Sequence, residues 1–280
     1  MKKAIVIVLC WILLPYVSVA GTNLSSNFTY GFAGYWGNST DIVLELPADF
    51  NLQAGFSISS SSAARSTSFS LGGGKDLFFQ MISLNALYSG NRSGNYFSDT
   101  GEFTFSIRPL LMLVTLLDLQ AEIGYSYTAH TNNTRTEMLP CHSWRIGLGL
   151  GILQTTELAI AYTSYNYFPS VPGGKTLEEI QKYIYATQNM RLAGVLGVIS
   201  GFPGSTIDFS ISRVLFDRLN VYANYSWIQY SLDKSTSNSI LIGADYFLLD
   251  NLSPGLAYNI FLARGSAPAH YISAGISFNF

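Results

Sequence analysis

Charge is scarce in this chain, and that scarcity is the first constraint on its fold. Asp, Glu, Lys and Arg make up 11% of the 280 residues, against about 25% in an ordinary water-soluble domain. Cysteine is nearly missing: there are two, and Cys10 lies in the N-terminal apolar run, which leaves Cys141 with no intramolecular disulfide partner and no assigned role. The three histidines stand far apart at 130, 142 and 270, and with no Cys pair they offer no metal-ligating constellation. A basic patch for nucleic acid is absent too, because the formal net charge is −2 and becomes −4 without Lys2 and Lys3. Long hydrophobic runs are also lacking. Beyond position 21 the longest is 109–117, roughly half of the ~20 apolar residues that a spanning helix needs.

What is present begins with an N-terminal processing signal. Lys2 and Lys3 precede an unbroken apolar run from Ala4 to Leu14, Pro15 breaks it, and Ser18-Val19-Ala20 supplies small residues before Gly21. This is the pattern of a secretory signal peptide over residues 1–20, with cleavage before Gly21. Residues 21–280 are expected to form one domain.

Aromatic residues reach 14%, with 18 Tyr and 18 Phe, and Gly numbers 25, yet the mean hydropathy is only +0.25. That value is too low for a bundle of membrane helices. An all-β transmembrane barrel accounts for both facts, since half of each strand faces lipid and the other half is polar. Period-two alternation recurs over about ten residues. In 271–280, Ile272, Ala274, Ile276, Phe278 and Phe280 alternate with Tyr271, Ser273, Gly275, Ser277 and Asn279. Stretches 143–152, 118–127 and 205–213 repeat the pattern, the last setting Ile207, Phe209 and Ile211 against Thr206, Asp208, Ser210 and Ser212. Further segments are 28–36, 49–58, 102–108, 156–163, 219–227, 239–246 and 255–263, with 77–88 less clean because Gln80 falls among its apolar positions. The outer sheet faces of a soluble sandwich would carry Lys, Glu and Arg; here the polar row is mostly Gly, Ser, Asn and Thr.

The expected architecture is therefore an antiparallel up-and-down barrel of about 12 strands, or about 14 if the short segments 40–46 and 66–71 are real, the number being even. With the last strand running down to the periplasm, the tight links at 215–218, 248–254, 154–155 and after Pro109 are periplasmic. The polar links 89–100, 131–141, 232–237 and 264–268 are extracellular. Residues 168–204 form one long extracellular connection, partly helical, with Leu177, Ile180 and Ile184 at helical spacing; long connections of this kind are commonly functional.

The terminal segment, an alternating strand ending in Phe280 behind an export signal, resembles the C-terminal signal of bacterial outer-membrane β-barrel proteins. The resemblance identifies the class and no particular family. It implies that Ile276, Phe278 and Phe280 engage the barrel assembly machinery, that the protein resides in the outer membrane, and that outer-membrane lipid is its solvent.

A charge on the lipid face costs about 2–4 kcal/mol at the bilayer midplane. Arg108, Arg145 and Arg213 are therefore expected to face the lumen together with Glu122, Glu157, Asp208 and Asp245, either as cross-strand pairs or as a charged constriction. Trp36, Trp144, Trp227, Tyr127, Tyr162 and Tyr246 suit interfacial girdles. Catalysis is not expected. Barrel hydrolases of the phospholipase type place a His and a Ser two apart on one strand, and none of the three histidines has Ser at that spacing. No cofactor is implied. Three functions remain open: a porin-like channel for passive or weakly selective diffusion of small solutes, a closed structural or surface-interaction barrel, and a transporter of hydrophobic molecules using 192–199.

Overall fold

Period-two alternation becomes a ring of strands once each finds an antiparallel neighbour on both sides. The computed structural model describes residues 21–31, 34–61, 65–94, 96–109, 116–132, 138–168, 192–194, 197–199, 202–231, 234–264 and 266–280. The expected signal peptide, residues 1–20, and the helical spacing around Leu177 lie outside the described residues. In chain order the strands are β1 Gly21–Gly31, β2 Tyr35–Leu46, β3 Phe50–Ser60, β4 Arg65–Leu77 and β5 Ile82–Ser93. There follow β6 Tyr96–Ile107, β7 Leu117–Asn132, β8 Met138–Ile152 and β9 Thr156–Tyr167. A short ribbon of β10 Leu192–Gly194 and β11 Gly197–Ile199 precedes β12 Pro203–Leu215, β13 Leu219–Tyr230, β14 Thr236–Tyr246, β15 Leu252–Ala263 and β16 Ala269–Asn279.

All but β10 and β11 join one closed barrel, so the wall has 14 strands, each paired with its sequence neighbours except where β9 meets β12 and β1 meets β16. The 12-strand expectation gives way to its alternative. Segments 40–46 and 66–71 are parts of β2 and β4, whose alternation is diluted by Asn38 and Thr40 in one outward row and by Thr67 and Gly73 in the other. Segment 28–36 spans the β1–β2 turn, and segment 77–88 spans a second turn in which Gln80 sits, hence its misplaced polarity. The polar stretches 89–100 and 131–141, expected as loops, mostly continue as strand: β5 runs to Ser93 and β6 starts at Tyr96, while β7 runs to Asn132 and β8 starts at Met138. Above the membrane both faces of a ladder meet water, so the alternation disappears while the backbone pairing persists.

The seam is tied by Phe280, whose N–H donates to the Thr22 carbonyl at 2.8 Å and whose carbonyl accepts from the Thr22 N–H at 3.1 Å. That end of the barrel is here the lower rim; the 168–204 connection leaves from the upper rim. Directly opposed residues define the two faces. One inward row runs Glu122, Gly147, Ala161, Asp208, Ser226, Ser239 and Phe261 around half the wall. The outward rows carry Phe56, Leu71, Phe103, Ile146, Leu148, Ile160, Ile242 and Leu256, all well exposed, Leu71 at 62%. Soluble monomers rarely expose a continuous apolar belt of this kind; acyl chains cover it without cost. Charges on the outer face keep to the rims, with Arg65, Arg92 and Asp99 above and Lys75 and Arg213 below.

Candidate solute path through the barrel

Fourteen strands spaced ~4.8 Å apart and tilted by about 35–45° give a backbone radius of about 13–15 Å. Whether that space is open depends on the inward side chains. Along stretches of β3, β4 and β8 they are small or amide: Gln53, Gly55 and Ser57 on β3, Ser68, Ser70, Gly72 and Gly74 on β4, and Gly147, Gly149 and Gly151 on β8. An eight-stranded barrel would be filled by its own side chains; this wall is wider and its lining shorter.

The longest side chain projecting from the wall at mid-height is Arg145. Its Nε donates to Glu122 Oε1 on β7 at 2.9 Å, and its Nη1 lies 3.7 Å from Asp208 Oδ2 on β12. To reach Asp208 the guanidinium crosses β9, where the residue in that row is Ala161. Asp208 also accepts a hydrogen bond from Ser226 Oγ at 2.6 Å. The three charged side chains remain 39%, 27% and 22% exposed for Arg145, Glu122 and Asp208, so they line water and do not form a dry plug. Around them is a recess of about 230 Å³, shaped by Gly147, Gly149, Ala159 and Ala161 and edged by Gln120, Ser210 and Asn224.

The other candidate charges fall in separate places. Arg108, just past β6 at the lower rim, approaches Asp118 at 3.9 Å and Gln120 Oε1 at 3.5 Å. Glu157 lies in the inward row of β9 opposite Gly151 and Ser212, and Asp245 in that of β14 opposite Asn220 and Gly255. Arg213 departs from expectation. It shares the outward row of Ile207, Phe209 and Ile211 and is exposed. Its distance from the midplane is the reason: it stands three residues before the lower turn at Phe216, where a charge costs only about 0–1 kcal/mol and a long side chain reaches the headgroups. Ile276, Phe278 and Phe280 line the outer face of β16 at the lower rim, the two Phe rings stacked at 6.2 Å.

Further inward groups emerge from the register, although Asp118 already shares the alternating polar row of Glu122 in 118–127. Asp41 and Glu45 on β2, Asp76 on β4, Glu102 on β6 and Asp118 on β7 all stand in lumen-facing rows. In sequence Asp76 follows Lys75 and the others sit beside apolar or small residues, without a distinctive motif; counting parity outward from each correct turn would have found them. The upper mouth is lined by two buried aromatic groups. Tyr35, Phe261 and Tyr271 pack with Ile228 on one side, and Tyr96, Tyr167 and Phe202 surround His130 on the other. His130 Nδ1 is paired with the Tyr96 hydroxyl, as His142 is with Tyr125 and His270 with Tyr258.

No protein-family model matches the chain, and no curated protein matches it either. Solved structures do. CdiB from Acinetobacter baumannii superposes with a TM-score of 0.54 at 11% identity, over 93% of this chain and 60% of that one. OprD, an outer membrane protein from Pseudomonas aeruginosa, gives 0.51 at 7% identity over 94% and 96%, and the KdgM porin gives 0.46 at 8% over 92% and 99%. The fold is that of bacterial outer-membrane β-barrels, and the outer membrane is where a barrel with this apolar belt resides.

Proposed function

We propose that the protein is a porin-like channel through which small hydrophilic solutes diffuse. The carrying observation is the mid-height lining: a wide 14-stranded wall whose inward rows are mostly Gly, Ser, Ala and Asn, crossed by a partly hydrated Arg145–Glu122–Asp208 bridge. A barrel serving only as a scaffold would gain stability from filling its interior with apolar side chains, as the upper rim alone does. The lining supports diffusion past polar groups, with the guanidinium bridge as one edge of the constriction. The 168–204 connection narrows the upper mouth in this proposal. In support, β11 comes up against β15, three strands around the wall from β12.

Purified mature protein in a planar bilayer is expected to give discrete conductance steps, larger after deletion of residues 173–190. A correctly folded barrel that stays electrically silent would exclude the channel.

A further inference from the structure

We propose that the lumen passes cations in preference to anions, an inference that rests on the channel proposed above and gives its solute class. The inward rows of the described residues carry nine carboxylates: the Asp41, Glu45, Asp76, Glu102 and Asp118 placed by register, together with Glu122, Glu157, Asp208 and Asp245. Against them stand two guanidiniums, Arg108 and Arg145, and both are already engaged by acids. Arg145 lies between Glu122 and Asp208, and Arg108 beside Asp118. Asp41, Glu45, Asp76, Glu102, Glu157 and Asp245 have no ion pair among the described residues.

Two arrangements make this more than an excess of acid. First, the remaining strand cations are placed outside: Arg65, Lys75, Arg92 and Arg213 all occupy outward rows. The chain as a whole is close to neutral, with 15 basic and 17 acidic residues, so the imbalance inside is produced by the folding pattern. Second, the acids are distributed around the circumference. Glu45, Asp76, Asp118, Glu157 and Asp245 each lie within a few residues of a lower turn, on β2, β4, β7, β9 and β14. Three carboxylates lie flat over a directly opposed glycine, Asp41 over Gly55, Glu45 over Gly21 and Asp245 over Gly255, and a Cβ at any of these glycines would collide with the carboxylate oxygen. Negative charge is thereby held along the wall. Rings of Asp and Glu select cations in pores.

The Debye length is about 10 Å at 0.1 M salt and ~3 Å at 1 M, against a wall radius of about 13–15 Å. At low salt the field of the wall therefore spans most of the lumen, and at high salt it does not.

The test is the reversal potential of the full mature protein in planar bilayers under a KCl gradient. A K⁺ over Cl⁻ permeability ratio of about 10 is expected around 0.1 M, falling toward ~2 at 1 M. The triple variant Glu45→Gln, Glu157→Gln, Asp245→Asn should lower the low-salt ratio at least about threefold, its folding checked by heat-modifiable gel migration. Should that variant misfold, the salt dependence of the unaltered protein decides alone. Discrete conductance with a ratio at or below one at 0.1 M would overturn cation preference while leaving the channel standing; a silent folded barrel would remove the channel itself.

Discussion

At the scale of single residues, glycine does two different jobs in this wall. Opposite aromatic rings it is a seat: Tyr222 lies over Gly243, Tyr271 over Gly31 and Phe69 over Gly90, each pair directly opposed across a ladder. Around Arg145 it is a void instead, since a Cβ on Gly147 would find its nearest neighbours at 3.6 Å and 3.7 Å, which is ordinary contact. Gly147→Ala should therefore be tolerated with conductance nearly unchanged, whereas Gly147→Phe should fill the recess and reduce single-channel conductance at least about twofold. Equal conductance in the two variants would place the solute path elsewhere. The abundance of Gly was plain in the sequence; which glycines seat a ring and which leave space depends on register.

At the scale of elements, the lower turns are the part least visible in the sequence. Ala48-Asp49, Phe78-Phe79-Gln80, Leu153-Gln154 and Phe216-Asp217 all have positive φ, between 50° and 67°, without a glycine among them. Two-residue hairpins favour Asn-Gly because both central residues need positive φ, so a search for Gly, Asn or Pro passes over these turns. That is why one apolar stretch ran through 78–81 as if it were strand. Phe216 has φ 53° and Asp217 57°, and Phe216 is 92% exposed. Replacing the pair by Asn-Gly should raise resistance to urea unfolding in detergent by about 1 kcal/mol. A destabilised variant would show that the Phe216 ring contributes more than its backbone strain costs.

At the scale of the whole molecule, closure between β1 and β16 removes the last free strand edge. Phe280 contributes to that seam through its backbone, while its side chain is 74% exposed beside Phe278. The two roles can be separated. Phe280→Ala should refold in detergent with stability within about 0.5 kcal/mol of the parent, because the hydrogen bonds to Thr22 do not involve the ring. Assembly into the outer membrane of cells should fall several-fold if the ring belongs to the signal that its resemblance to other barrel proteins implies. Unchanged cellular assembly would remove that role.

The sequence by itself determined the class of fold. Low charge, missing apolar runs and a strict period of two leave few structures that satisfy every backbone polar group in lipid. It also settled which face of most strands meets lipid, because that face must be apolar. Strand number, the true turns and the meeting of Arg145 with Glu122 and Asp208 were decided by the tertiary structure. Arg145 lies 23 residues from Glu122 along the chain and meets Asp208 only across β9, and alternation along one strand carries no information about its neighbour's register. Arg213 shows the same limit: its cost depends on depth in the bilayer, a coordinate that exists only once the barrel has closed.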